Sequence, residues 1–431
     1  MAAGPCRHDE VVILSVDEGR QAAAVRLAGM LALGIFLLLL LTGRGIDLLG
    51  STPRIFLVLA WPLVLALQWW TGRPLPTVLY IVGGGLLLRM WEFPGDGAGP
   101  SDALAAVYES IAVFLRGENP YDHVYEMTRP PGAPVPYPPA MMLIHLPGYL
   151  LDGMVGVQLT QVVAAAGTML AFVILGARVS WLAALPALAA YAGASNLIGL
   201  AIDGSNDTAV GLALLLAALA LAWAIGRGLD WPALVVAGVA AGVVLGMKQS
   251  AAPLVLVLGA YLFQRHGAAA LARYAAGAGG FLLLISLPFL LDPLAYARGL
   301  LSFIGAHDDL YGWNIWTFAR GMGWPVWEEG QATMLNLAAS AIALGAGVLL
   351  PYRRLTGAVL AGLIVTLIVL LTARWTTYAY FAMIAPVALL LPALAAWEAR
   401  RAGIPAADSE LSPDPEAAWV STRATDGHHR G

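Results

Sequence analysis

The residues of this chain whose types could do chemistry are a carboxylate at the start of an amphipathic stretch, a lone lysine, and a polar break between apolar runs. Asp102 opens "SDALAAVYESIAVFLRG", where Ser101 is placed to cap a helix and Gly117 to stop it. The positive end of a helix dipole favours a carboxylate in the first turn, and one held there could accept a proton from a substrate hydroxyl. Its plainer role is a solvated acid that helps to start the helix. Asp96, on the glycine-rich approach "EFPGDGAGP", is the alternative base. Lys248, in "VVLGMKQSAAP", is the only lysine in the chain. An ammonium is a compact point charge suited to phosphate, although the same residue could simply snorkel to an interface. Arg374, in "LTARWTTYAYF", is a second cation at the end of an apolar run. "AIDGSNDTAV" puts Asp203, Asn206 and Asp207 at another such boundary, where helix capping is the alternative to function. There is no CxxC pair, no Walker-type loop and no histidine cluster at metal-ligand spacing.

The elements that must position these residues are membrane helices. Of 431 residues, 59% are hydrophobic and 12% charged, and the mean hydropathy is +0.76; a soluble domain is about a quarter charged. Apolar runs long enough for a bilayer core fall at 25–43, 53–71, 75–90, 154–177, 181–200, 208–226, 232–247, 250–264, 274–290, 331–350, 356–373 and 377–396. They predict an all-α polytopic membrane protein of about twelve transmembrane helices. Residues 1–24 carry Asp9, Glu10, Asp17 and Glu18, and no small-residue cleavage site follows the first run, so that run is expected to stay as a helix. Cys6 is the only cysteine, which leaves no internal disulfide. A cytoplasmic amino terminus puts fourteen Lys and Arg residues on the cytoplasmic side and nine opposite. That bias predicts a plasma-membrane protein with both termini cytoplasmic. The polar tail 404–431 is expected to be disordered.

Two outer loops are then long: 91–137, extending to 153, and 291–330. In the first, Leu104, Val107, Tyr108, Ile111, Phe114 and Leu115 share one helical face, and Asp102, Glu109 and Arg116 lie opposite. This predicts an amphipathic helix on the outer bilayer surface. Residues 138–151, short and with three prolines, read as interfacial or re-entrant. In the second loop Trp313, Trp316, Trp324 and Trp327 suit the headgroup level.

An aspartate early in the first large outer loop, followed by "GENPYD" and "YPPAMMLIHLP", resembles the polyprenyl-phosphate-dependent mannosyltransferases of glycosyltransferase family 87. These belong to the membrane-embedded C superfamily of glycosyltransferases. "DGSND", "AGVVLGMKQSAAPLVL" and "WTTYAYFAMIAPVALLL" follow in the family's order, so the resemblance spans roughly residues 75–396. "AIDGSNDT" departs from the commonest form of its motif by lacking a glutamine. The resemblance implies a glycosyltransferase C-type domain at 75–403, with its catalytic loop at 91–153 and a second outer loop at 291–330. Before it come a cytoplasmic tail (1–24) and two extra helices (25–74).

The implied activity is inverting, metal-independent transfer of a sugar, mannose first, from a polyprenyl-phosphate donor to an acceptor hydroxyl. No cofactor is expected; the partners are membrane lipids, the lipid-linked sugar and a glycolipid or polysaccharide acceptor, not nucleic acid. Asp102 would be the base, with Asp96 as the alternative, and Lys248, Arg374 and Arg129 would hold the donor phosphate. Asn119, Tyr121, Asp122, Tyr137, Asn206 and Asp207 would surround the substrate, with scaffolding the alternative for the first four. "NPYDHVY" would turn the chain, and "PPGAPVPYPP" would lead it back in extended form. The rival reading is a transporter or lipid flippase. Against it, the predicted helix interiors hold few ionisable residues and the polar groups gather on one face.

Overall fold

The computed structural model describes residues 8–43, 52–95, 101–126, 128, 131–132, 134–305, 310–324 and 329–403. In chain order the long helices are α1 (His8–Thr42), α2 (Thr52–Thr71), α3 (Leu75–Trp91), α4 (Asp102–Leu115), α5 (Pro139–Arg178), α6 (Trp181–Gly193), α7 (Ser195–Ile202) and α8 (Asp207–Gly226). There follow α9 (Trp231–Met247), α10 (Ala252–Ser286), α11 (Pro293–Gly305), α12 (Ile315–Gly321), α13 (Glu329–Leu349), α14 (Leu355–Thr372) and α15 (Tyr378–Arg401). One two-residue parallel pairing joins β1 (Tyr311–Gly312) to β2 (Trp375–Thr376).

Among the described residues eight helices are long and apolar enough to cross a membrane, or nine if the bent pair α6–α7 is one span. The chain is an all-α polytopic membrane protein, as helices that satisfy their own backbone groups require. The predicted runs all fall on helical segments, but the division differs. The runs at 250–264 and 274–290 belong largely to α10, which is broken at Gly267. The run at 181–200 is α6 and α7, bent by 58°. Helix α1 starts at His8, well before the expected 25. Without a hydrophobic drive between helices in lipid, close approach of small residues holds them together. Gly238 and Gly242 of α9 accordingly lie against the backbone of Tyr274 and Ala278 in α10.

Helix α5 is a hairpin. Asp152 and Gly153 leave helical geometry, with Gly153 at φ 52°. Gly148 and Gly156 then press together so closely that a Cβ on either would strike the carbonyl of the other. His145 meets Gln161 at 2.5 Å, whereas residues sixteen apart in a continuous helix are about 24 Å apart. Residues 139–151 therefore double back on the bundle, as the short proline-marked run predicted.

Helix α4 also forms as expected: Ser101 Oγ accepts from the Leu104 N–H at 3.3 Å, and Gly117 ends the helix at φ 79°. Its surroundings differ from expectation. Leu104, Val107 and Ile111 are buried, and so are Ala105, Ala106 and Ser110. Those small side chains let α4 settle against α5 and the turn before α8, where a bilayer surface had been expected.

Candidate functional site

The polar loops meet at one end of the bundle. The backbone N–H of Ser101 donates to the Asp203 carbonyl at 2.9 Å, and Ser101 Oγ donates to the Gly204 carbonyl at 3.3 Å. Gln249, after α9, donates to the carbonyls of Pro136 (2.7 Å) and Leu300 (3.4 Å). The Tyr311 N–H donates to the Arg374 carbonyl at 3.0 Å. Gly204 makes the first of these junctions possible. It sits at φ 76°, and a Cβ there would lie 2.3 Å from Leu104 Cδ2. A larger residue would have to take up the left-handed conformation and push the Leu104 side chain aside.

Asp207 begins α8, and Asn206 occupies its N-cap without capping it. The Asn206 Oδ1 instead accepts from Lys248 Nζ at 3.2 Å, and Asp207 Oδ1 accepts from the same ammonium at 2.7 Å. Ser205 Oγ donates to the other Asp207 oxygen at 3.1 Å. Lys248 ends α9 in extended conformation, which turns its side chain across to α8. The pair is almost sealed: Lys248 is 4% exposed and Asp207 3%. The Tyr380 ring centroid lies 4.1 Å from Nζ and that of Tyr137 5.8 Å, cation–π contacts that strengthen with desolvation.

Because Asn206 is engaged, the start of α8 is capped from α5. Gln161 Oε1 accepts from the Ala209 N–H at 3.0 Å. The amide nitrogen of Gln161 meets His145 Nε2, and His145 Nδ1 meets the Met141 carbonyl at 2.7 Å. All these bonds are satisfied together only with His145 neutral and protonated on Nδ1, Gln161 being the donor to Nε2. Both amide atoms of Gln158, whose side chain lies under Gly204, are buried without a partner. Unpaired buried amides cost free energy and call for an explanation.

The environment is electrostatically strained. Burial lifts the Asp203 carboxyl to about 6, opposed by the Ser205 N–H and assisted by Asp207. Burial also raises the Tyr137 phenol; the Asn206 amide opposes this, while Asp207 and Asp102 add to it. Asp102, at the start of α4, is thus within electrostatic range of Tyr137, while its Oδ1 accepts from the Ala103 N–H at 2.9 Å. On the flank lies an apolar cavity of about 690 Å³ between the α5 hairpin (Ile144, Gly156, Val163), α8 (Leu212, Leu216) and α9 (Val243). Ala209, two residues beyond Asp207, also lines it.

Of the residues expected at a site, the fold brings together Asp102, Tyr137, Asn206, Asp207 and Lys248. Three others have partners outside that cluster. Asn119 Oδ1 accepts from the Tyr121 N–H at 3.1 Å, forming a local turn. Tyr121 is buried against Phe289 and Tyr296 and donates to the Tyr137 carbonyl at 2.8 Å. Asp122 is exposed and 3.6 Å from Arg298. Arg374 sits at the α14–α15 junction, its carbonyl also accepting from Asn314 Nδ2 at 2.9 Å. Asp96 and Arg129 lie outside the described residues. Tyr380, Ser205, Gln161 and His145 were missed; Ser205 joins the cluster through Asp207 two residues on, and the other three are tied to it by tertiary contacts that no local spacing marks.

The count of charges inside the helices also needs correction. Arg89, one of the nine cations that the charge bias puts on the outer side, is fully buried in α3. It donates to the carbonyls of Gly85, Ala192 and Tyr191, at 2.9, 3.1 and 3.3 Å. The last two are the carbonyls exposed where α6 bends into α7, the negative end of a helix dipole. No family model, curated protein or solved structure matches this chain.

Proposed function

We propose that the chain is an integral-membrane glycosyltransferase that moves a sugar, mannose first, from a polyprenyl-phosphate donor to an acceptor hydroxyl on the extracytoplasmic face. The observation behind this reading is that Asp102 interacts electrostatically with Tyr137 and Tyr380, the two rings that lie on the buried Lys248–Asp207–Asn206 cluster, beside an apolar cavity within the helices. A lipid-phosphate sugar needs those three features at one place: a base, fixed positive charge, and room for its chain. Asp102 takes the proton of the acceptor hydroxyl as that oxygen attacks the anomeric carbon. The bond from that carbon to the phosphate oxygen breaks, the phosphate leaves with the electron pair, and configuration inverts. Lys248 supplies charge already held in place, which is how preorganised electrostatics lowers a barrier. Arg374 and Arg129, the other cations that the resemblance implies, are further phosphate ligands in this reading.

The test is release of polyprenyl phosphate from labelled polyprenyl-phosphate sugars by purified protein in liposomes. Wild type should turn over with or without chelator, and Asp102→Asn should slow it by about 10²–10⁴-fold, the range for loss of a general base. A folded Asp102→Asn protein of undiminished activity, beside an inactive Asp96→Asn, would transfer the role to Asp96.

One observation favours transport as a second reading. The bent α6–α7 pair adjoins a buried ion pair, and interrupted helices with intramembrane charge line transport paths. Absence of turnover with every donor, together with solute-dependent thermal stabilisation, would decide for it.

A further inference from the structure

The ammonium at the centre of the polar cluster is closed off. Asp207 Oδ1 and Asn206 Oδ1 take two of its three protons, and the rings of Tyr380 and Tyr137 lie over it. Lys248 is buried, so a ligand outside reaches Nζ only by displacing that cover. Tyr380 itself is partly exposed, and it interacts electrostatically with Tyr137, Asp207 and Asp102. The Tyr137 hydroxyl is engaged by the Asn206 amide. That of Tyr380 has no hydrogen-bond partner among the described residues.

The ring is held there by its helix. Gly211 of α8 lets α15 approach so closely that a Cβ on it would lie 3.1 Å from the Met383 carbonyl oxygen. Just before α15, β2 is fixed by its pairing with β1 and by Thr376 Oγ1, which donates to the Leu370 carbonyl at 2.7 Å. A phenol keeps its proton up to about pH 10, so Tyr380 offers an O–H donor. The ammonium is attracted to the electron density of the ring face, and drawing on that density strengthens the donor. The ring thus carries the influence of a sealed positive charge to a hydroxyl that is not sealed. We propose that Tyr380 touches the donor phosphate, its hydroxyl donating to a non-bridging phosphate oxygen, and that Lys248 acts on that phosphate through the ring. This rests on the glycosyltransferase reading for the sugar donor, but not for the contact between phenol and phosphate.

The first measurement is binding of undecaprenyl phosphate and of undecaprenol to the full chain in liposomes. Tyr380→Phe keeps a ring over Lys248 and removes only the hydroxyl. It should melt as wild type does and bind undecaprenyl phosphate roughly 10–100-fold more weakly, the range for one hydrogen bond to a charged group. Its affinity for undecaprenol should not change. Unaltered phosphate affinity, or an equal loss for both lipids, would overturn the contact and leave Tyr380 as a cover for Lys248. Displacement of the lipid by equimolar inorganic phosphate would assign the site to free phosphate and overturn it as well. If Tyr380→Phe does not fold, a fluorinated tyrosine at 380, nearly equal in bulk and more acidic, takes its place. Its affinity for undecaprenyl phosphate should fall as the phenol ionises, followed by its fluorine resonance, over a pH range where wild type is constant; a flat profile would refute the contact. The second measurement is sugar transfer, which separates the inference from the reading beneath it. Tyr380→Phe should lower kcat/KM for the lipid-phosphate sugar by about the same factor. Undiminished transfer would refute the contact and leave the enzyme standing. No transfer by wild type from any donor, with a phosphate preference that Tyr380→Phe loses, would instead remove the enzyme reading and keep the contact.

Discussion

Lys248 and Asp207 are each other's condition for being buried. A lone ion in such a place is strongly penalised, and removing one partner of a buried pair costs about 3–5 kcal/mol. Lys248→Met should therefore lower the melting temperature in detergent more than Lys248→Met combined with Asp207→Leu, despite the extra substitution. If the pair were only structural, the double variant would transfer sugar normally; a folded but inactive double variant is expected. Asp203 makes a prediction of opposite character. Its carboxyl is raised from 3.8 to about 6 by burial, so the folded chain binds the proton more tightly than the unfolded one. The stability this contributes is complete below about pH 4 and is lost as pH rises through about 6. Asp203→Asn keeps an acceptor for the Ser205 N–H, bonded at 2.7 Å. It should flatten the dependence of melting temperature between pH 4 and 6 and gain roughly 3 kcal/mol at pH 7.5, at about 1.4 kcal/mol per unit.

At the scale of elements, the α5 hairpin and the 203–206 turn are what present the cluster. A Cβ on Gly156 would lie within 1.9 Å of the Gly148 carbonyl oxygen. Gly156→Ala should then part the two helix halves, disturb the His145–Gln161 contact that caps α8, and lower the melting temperature sharply. Gly83→Ala in α3 is the control, since nothing lies within 4 Å of a Cβ there; alanine's better helix propensity should leave stability unchanged or raise it by up to about 1 kcal/mol. Equal losses in the two variants would mean that the hairpin contact contributes nothing. These elements were unevenly legible. Ser101 and Gly117 announced α4 correctly, and the prolines of 138–151 announced a segment that does not run straight. The apolar face of α4 was assigned to lipid but packs on protein, because amphipathicity says that a face is covered and does not say by what.

For the whole molecule the open question is which end faces the cell exterior, and the charge bias predicts that it is the end holding Asp102 and Lys248. In a Cys6→Ser background, a cysteine at exposed Glu118 should react with a membrane-impermeant maleimide in intact cells. One at exposed Arg400 should react only after permeabilisation. The reverse pattern would place the cluster in the cytoplasm and remove the extracytoplasmic reading.

Composition and hydropathy by themselves determined that this is a helical membrane protein, because the bilayer imposes its thickness on any apolar run. They also marked Lys248, Asn206 and Asp207 as residues out of keeping with their surroundings. Tertiary structure alone decided that these three touch, that Asn206 serves Lys248 instead of its own helix, and that Gln161 caps α8 in its place. It decided too that Arg89 is buried in the bundle and that Tyr121 packs against Phe289 and Tyr296. The reason is physical. Burial of a polar group requires a partner, and which partner arrives depends on how helices far apart in the chain cross, a matter that local periodicity does not encode.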